Sequence, residues 1–220
     1  MKTLSKILMA LALFSPMYSE ALWNDGNCCD NTCVPNTCCE ETCCREFSVE
    51  AQFAAYFPLD STVGHIYGYA LPAFTLEASW QWQCMSIWLD GSYIFGSGHS
   101  IGCGGGPTHL NFVPITLGVK YIYPMCDSTD LYIGLGACYS FLNTRDHSEY
   151  VHENTSGNNA GAILKTGVVY HYCDGIFFEG FFNYQYQKFY FHKTETNPFV
   201  YRHDVDMSNL QLGVAVGWEF

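Results

Sequence analysis

The stretch Asn209-Leu-Gln-Leu-Gly-Val-Ala-Val-Gly-Trp-Glu-Phe220 decides how the rest of the chain reads. Its even positions, Leu210, Leu212, Val214, Val216, Trp218 and Phe220, are large and apolar. Its odd positions, Asn209, Gln211, Gly213, Ala215, Gly217 and Glu219, are small or polar. Successive side chains of a strand point to opposite faces, so this period of two describes one strand with an oily face and a small or polar face. The run is longer than the roughly 5–6 residues usual in a soluble sheet. A strand that crosses a bilayer needs about 9–11 residues and carries aromatics where it meets the interface.

The beginning of the chain is of a different kind. Residues 1–21 combine Lys2 and Lys6, an apolar run at 7–14, and Ser19-Glu20-Ala21, a small-x-small cleavage pattern. This is the layout of a secretory signal peptide, and its apolar run is too short to span a membrane. Its removal leaves 7 basic and 20 acidic residues, a net charge of −13. Such a surface repels nucleic acid and anionic headgroups, which excludes nucleic acid as a partner. No later window approaches the roughly 18 consecutive apolar residues of a membrane helix. Yet 17% of residues are aromatic and only 14% charged, which is too oily for an ordinary soluble surface. An exported chain that is oily without helical spans is most simply a closed barrel.

The alternation of the last strand recurs along the chain. Phe47, Val49, Ala51, Phe53, Ala55 and Phe57 share one face against Ser48, Glu50, Gln52, Ala54 and Tyr56. The same pattern returns at 74–82, 85–95, 113–123, 131–141, 162–172, 176–186 and 210–220, which makes eight strands. Short turns at 83–84, 124–130 and 173–175 alternate with long polar loops at 58–68, 96–108, 143–159 and 188–205. Asp174-Gly175 is a strong hairpin signal. The outward aromatics also sort by height. Trp80, Trp82, Tyr121, Tyr123, Tyr170, Tyr172, Trp218 and Phe220 fall at the turn end. Phe57, Tyr93, Phe95, Tyr139, Phe141, Tyr184 and Tyr186 fall at the loop end. Two girdles suit a barrel in a bilayer, whereas the alternative, a soluble β-sandwich, has no reason to sort its rings this way. The expected fold is all-β: an eight-stranded antiparallel transmembrane β-barrel at 46–220, preceded by a signal peptide at 1–21 and a Cys-rich tail at 22–45.

Leu117-Gly-Val-Lys-Tyr, Tyr132-Ile-Gly-Leu-Gly-Ala and the terminal strand resemble the small eight-stranded barrels of bacterial outer membranes typified by OmpA, OmpX and OmpW. The resemblance spans residues 47–220. It implies a bacterial outer-membrane location with both termini periplasmic, and outer-membrane lipid as the surrounding medium. It also implies that Trp218 and Phe220 form an assembly signal read by the barrel-insertion machinery. It describes construction rather than activity. The expected role is structural, with a narrow OmpW-like conduit for small molecules or a surface adhesin as alternatives.

Inward positions carry Glu50, Glu77, Asp90, Lys120, Lys165, Glu179 and Glu219. A barrel of eight strands is just wide enough for its own side chains, so these charges should pair or hold ordered water. Acids outnumber bases among them, which leaves open a wet lumen that prefers cations. His65, His99, His109, His147, His152, His192 and His203 fall in or beside the loops, where solvated histidine is the plain interpretation. His109, Ser100 and Asp146 stand at no diagnostic catalytic spacing, so no enzyme activity is expected, and neither a cofactor nor a metal site is expected among these side chains.

Twelve cysteines are the anomaly. Cys28, Cys29, Cys33, Cys38, Cys39, Cys43 and Cys44 lie in a five-residue repeat, Cys84, Cys126 and Cys173 fall at the short turns, and Cys103 and Cys138 lie elsewhere. Neighbouring cysteines do not easily bridge each other, so each is better suited to a separate partner. An internal staple, cross-links to other envelope proteins and a thiolate metal cluster all remain open. This cysteine usage resembles the disulfide-linked envelope proteins of chlamydia-type bacteria, which implies a cross-linked role.

Overall fold

The computed structural model describes residues 47–99, 106–126, 128–147, 152–172, 175–190 and 204–220. The expected signal peptide and Cys-rich tail lie outside the described residues, as do Ser100, Cys103, Cys173, His192 and His203. In chain order the elements are β1 (Phe47–Pro58), α1 (Ser61–Tyr67), β2 (Leu71–Trp82), β3 (Met85–His99), β4 (Pro107–Cys126), β5 (Thr129–His147), β6 (His152–His171), β7 (Ile176–Tyr186), β8 (Lys188–Tyr190), β9 (Asp204–Asp206) and β10 (Asn209–Glu219).

Eight of these strands close on themselves in the order β1-β10-β7-β6-β5-β4-β3-β2. Every pairing in the wall is antiparallel. The closing seam joins β1 to β10, with Val49 opposite Trp218 and Phe57 opposite Leu210. Phe220 N donates to Phe47 O at 2.8 Å just beyond it. Closure leaves the eight-stranded wall without an edge strand, which is what a bilayer interior requires of a sheet.

The parity of the pattern is kept all the way round. Leu76, Leu89, Leu117, Leu135, Leu212 and Val214 point outward and are exposed, while Glu50, Glu77, Lys165 and Gln185 point inward and are buried. A water-soluble protein does not present a continuous apolar wall of this extent. Leu135 lies within this wall, opposite Val119 on β4 and Leu164 on β6. Leu135→Arg is therefore expected to cost about 2–4 kcal/mol of unfolding free energy in lipid vesicles. An unchanged denaturant midpoint would place this face outside the hydrocarbon.

Several stretches expected to be loops are ordered structure. Residues 58–68 contain α1, which starts where Asp60 accepts from Thr62 N at 2.7 Å and stops at Gly68 with φ 104°. The expected loop at 96–108 is shortened from both sides, because β3 runs to His99 and β4 begins at Pro107. The expected loop at 143–159 is mostly ladder, with Asn143 paired to Ser156 and His147 to His152. Residues 188–205 contribute β8 and part of β9, which pair with each other. β8 and β9 are too short to display a period, and the other two extensions share one reason. Apolar alternation marks a strand only where one face meets lipid or a core, whereas backbone pairing continues into water without it.

Candidate functional site

Inward parity brings six charged side chains into one buried cluster. Glu50 on β1, Glu77 on β2, Asp90 on β3, Lys120 on β4, Lys165 on β6 and Glu179 on β7 are each at most 7% exposed. Lys165 Nζ donates to Glu77 Oε2 at 2.7 Å and to Asp90 Oδ2 at 2.5 Å. Lys120 pairs with the other oxygen of Glu77 and reaches Glu50 Oε1 at 3.7 Å. Glu77 therefore bridges both ammonium groups. Gln52 Nε2 donates to Glu50 Oε1 at 2.6 Å and to Glu77 Oε2 at 3.2 Å, and the Tyr132 hydroxyl donates to Glu179 Oε1 at 2.5 Å. Charge taken out of water persists only when paired and hydrogen-bonded, and this network supplies both.

Trp88 fills the space beside the ions and is completely buried. Its Nε1 donates to Asp90 Oδ2 at 3.2 Å, and its ring lies 5.3 Å from Lys165 Nζ and 5.8 Å from Lys120 Nζ. The wall makes room for it with glycine. A Cβ on Gly134 would stand 2.9 Å from Trp88 Cζ3, and one on Gly136 would stand 2.9 Å from Cζ2. The small residues of the inward face are thus the seat of the bulkiest side chain in the lumen.

Above the ions the lumen becomes neutral and then apolar. Cys138 Sγ and Ser140 Oγ donate to Gln187 Oε1 at 3.2 and 3.1 Å, and Gln211 Nε2 donates to Asn209 Oδ1 at 3.1 Å. Toward the loop end Tyr56, Ile94, Leu110, Phe112 and Met207 form a buried cluster with Val63 from α1 and Phe189 from β8. The Tyr56 hydroxyl donates to Met207 O at 2.8 Å. The helix and the small hairpin thus supply side chains to an apolar stopper at this end. At the turn end, His171 stands between Asp130 Oδ2 at 2.9 Å and Glu219 Oε1 at 3.2 Å.

Solved structures similar to this chain include three outer-membrane proteins. Neisserial surface protein A is 15% identical with a TM-score of 0.58, over 79% of this chain and 97% of that one. The outer membrane protein OprG from Pseudomonas aeruginosa is 15% identical with a TM-score of 0.56, over 80% of this chain and 95% of that one. The fold is that of the small outer-membrane barrels. A major outer membrane protein from Thermus thermophilus agrees, at 14% identity and a TM-score of 0.51, over 80% of this chain and 98% of that one. No family model and no curated protein matches. At these identities the likeness to outer-membrane barrels extends to the fold alone.

Within this outer-membrane barrel fold the charged residues singled out from sequence occupy two places. Glu50, Glu77, Asp90, Lys120, Lys165 and Glu179 form the buried cluster, while Glu219 lies at the turn-end rim against His171. Trp218 and Phe220 point outward at the same end. Cys84 lies in the turn between β2 and β3, Cys126 ends β4, and Cys138 is a buried free thiol. Of the histidines, His65 belongs to α1, where its Nδ1 lies 2.8 Å from Ser61 O. His99, His109, His147 and His152 are in strands rather than loops. His171, Tyr132 and Asp130 were missed by sequence reasoning. His171 shares the inward parity of Lys165 on β6, so a strict count by twos would have found it.

Proposed function

We propose that the chain is a structural barrel of a bacterial outer membrane, closed along its axis, with both ends of its sheet on the periplasmic side and its loops outside. The filled lumen carries this proposal: an ion cluster around Trp88, an amide layer and an apolar stopper follow one another from the turn end to the loop end. An eight-stranded wall has little room beyond its own side chains, and here large side chains occupy it. Outer-membrane lipid is then the main partner of the outward face, and Trp218 and Phe220 are presented outward for the barrel-insertion machinery. No catalytic step is part of this role. The purified barrel in planar bilayers is expected to give no discrete conductance steps, and reproducible single-channel steps would favour the conduit instead.

The proposal extends to cross-linking. With the sheet ends periplasmic, Cys84 and Cys126 face the same compartment as the repeat from Cys28 to Cys44, and that compartment permits disulfides. Native envelopes run on non-reducing gels are expected to show high-mass species that collapse to one band on reduction. A single band in both lanes would remove the network and leave an isolated barrel.

A further inference from the structure

We propose that the turn-end vestibule of the lumen binds one hard divalent cation of the Ca2+ class against the adjoining carboxyl groups of Glu50 and Glu179. This goes beyond the structural role and does not depend on it. The first support is charge. Glu50, Glu77, Asp90, Glu179, Asp130 and Glu219 face Lys120, Lys165 and His171 in the described lumen, so acids exceed bases even with His171 charged. Both lysines are committed to Glu77, and Lys165 also to Asp90. The nearest ammonium to Glu50 is that of Lys120, at 3.7 Å. Among the described residues Glu179 has no cationic partner at ion-pair distance, and its Oε1 accepts the Tyr132 hydroxyl. Unmatched carboxylate at membrane depth is costly and calls for a counter-charge.

The second support is the space beside them. A cavity of about 50 Å³ at the turn end is lined by both carboxylates together with Ser48, Ser79, Gln81 and Ser86. Ser86 is 3% exposed, lines this cavity and leaves its Oγ without a hydrogen-bond partner. A buried hydroxyl with no partner is itself unfavourable, and a ligand in the cavity would satisfy it. The donor set is carboxylate, hydroxyl and amide oxygen without sulfur, which selects a hard cation. A cavity of this size has room for one ion together with bound water. Lys120 also lines the cavity, but its ammonium is drawn aside onto Glu77 and lies 4.6 Å from the Tyr132 ring centre. The partly exposed His171 and Glu219 form the rim through which the ion would enter.

The test is calorimetric titration of the full chain, folded in detergent micelles in potassium buffer, with CaCl2. The wild type is expected to take up one ion at a site that weakens on the order of tenfold or more in Glu50→Gln and Glu179→Gln. Ser86→Ala, which removes only a neutral oxygen, should weaken it less, and Asp206→Asn, a control on β9, should leave it unchanged. Circular dichroism checks that each variant keeps its strands, and the mild Ser86→Ala change keeps the test decisive if a Gln variant misfolds. Absence of Ca2+ uptake by the wild type would overturn the proposal, including the case where a proton shared by the two glutamates balances the charge. Equal uptake by the wild type, Glu179→Gln and Ser86→Ala would also overturn it and move binding to the acidic outer surface.

Discussion

Lys165→Met is expected to lower the unfolding free energy of the barrel by about 3–5 kcal/mol. The ammonium of Lys165 holds Glu77 and Asp90 together at 2.7 and 2.5 Å in a site where all three side chains are at most 2% exposed. Methionine keeps most of the length and packing of the stem, so the loss reports the charge. Glu77 still has Lys120, but Asp90 is left with neutral donors alone, the Trp88 N–H and the Thr116 hydroxyl. Adding Asp90→Asn to the variant should therefore recover a large part of the loss, because it removes the stranded carboxylate. Lys188 provides the contrast. Its pair with Asp206 spans 3.8 Å and both side chains are about one-third exposed, so Lys188→Met should cost no more than about 1 kcal/mol. Denaturant titration in lipid vesicles measures all of these. A Lys165→Met loss within about 1 kcal/mol would mean that water reaches the pair, and it would remove the filled lumen as grounds for a closed barrel.

The wall of this barrel was readable because lipid enforces it. Phe53, Leu89, Val119 and Val214 stand at alternate positions since each must face hydrocarbon, and one misplaced parity would turn a whole strand inside out. Where that constraint ends, legibility ends too. Asn143 and Ser156 are paired strand residues, yet both are polar and exposed, so nothing apolar marks them. The helix at α1 is only one short run capped by Asp60 and Gly68, too brief to display a period. Partner choice in the lumen was hidden for another reason. Lys165 meets Glu77 and Asp90, 88 and 75 residues away in sequence, across the barrel rather than along a ladder. Which inward residues share a height depends on the tilt and shear of the strands, and parity alone does not contain them. The inward position of Trp88 follows from counting by twos, but its seat of glycines on β4 and β5 follows only from the register that pairs Gly118 with Gly136.

That seat is what makes Trp88→Ala the second large effect, expected to cost about 3–5 kcal/mol. The ring is fully buried, donates to Asp90, and lies under two ammonium groups, so its loss opens a void beside charges that have no water to fall back on. The glycines beneath it allow the cause to be isolated. A Cβ on Gly134 would lie 2.9 Å from Trp88 Cζ3 and 3.0 Å from Lys120 Cγ, so Gly134→Ala alone should cost about 1–3 kcal/mol by overpacking. With Trp88 already gone, the same Gly134→Ala change should cost much less, because its principal clash has been removed and the methyl enters the void. The double-variant cycle would then show a coupling of about 0.5–3 kcal/mol, as expected for side chains in direct contact. Gly180 is the matched control: it points outward with nothing within 4 Å of a built Cβ, so Gly180→Ala should show no coupling to Trp88. Strict additivity between Trp88→Ala and Gly134→Ala would mean that the ring does not rest on this glycine. The inward glycines would then be serving the curvature of the wall, and the lumen would have to be filled some other way.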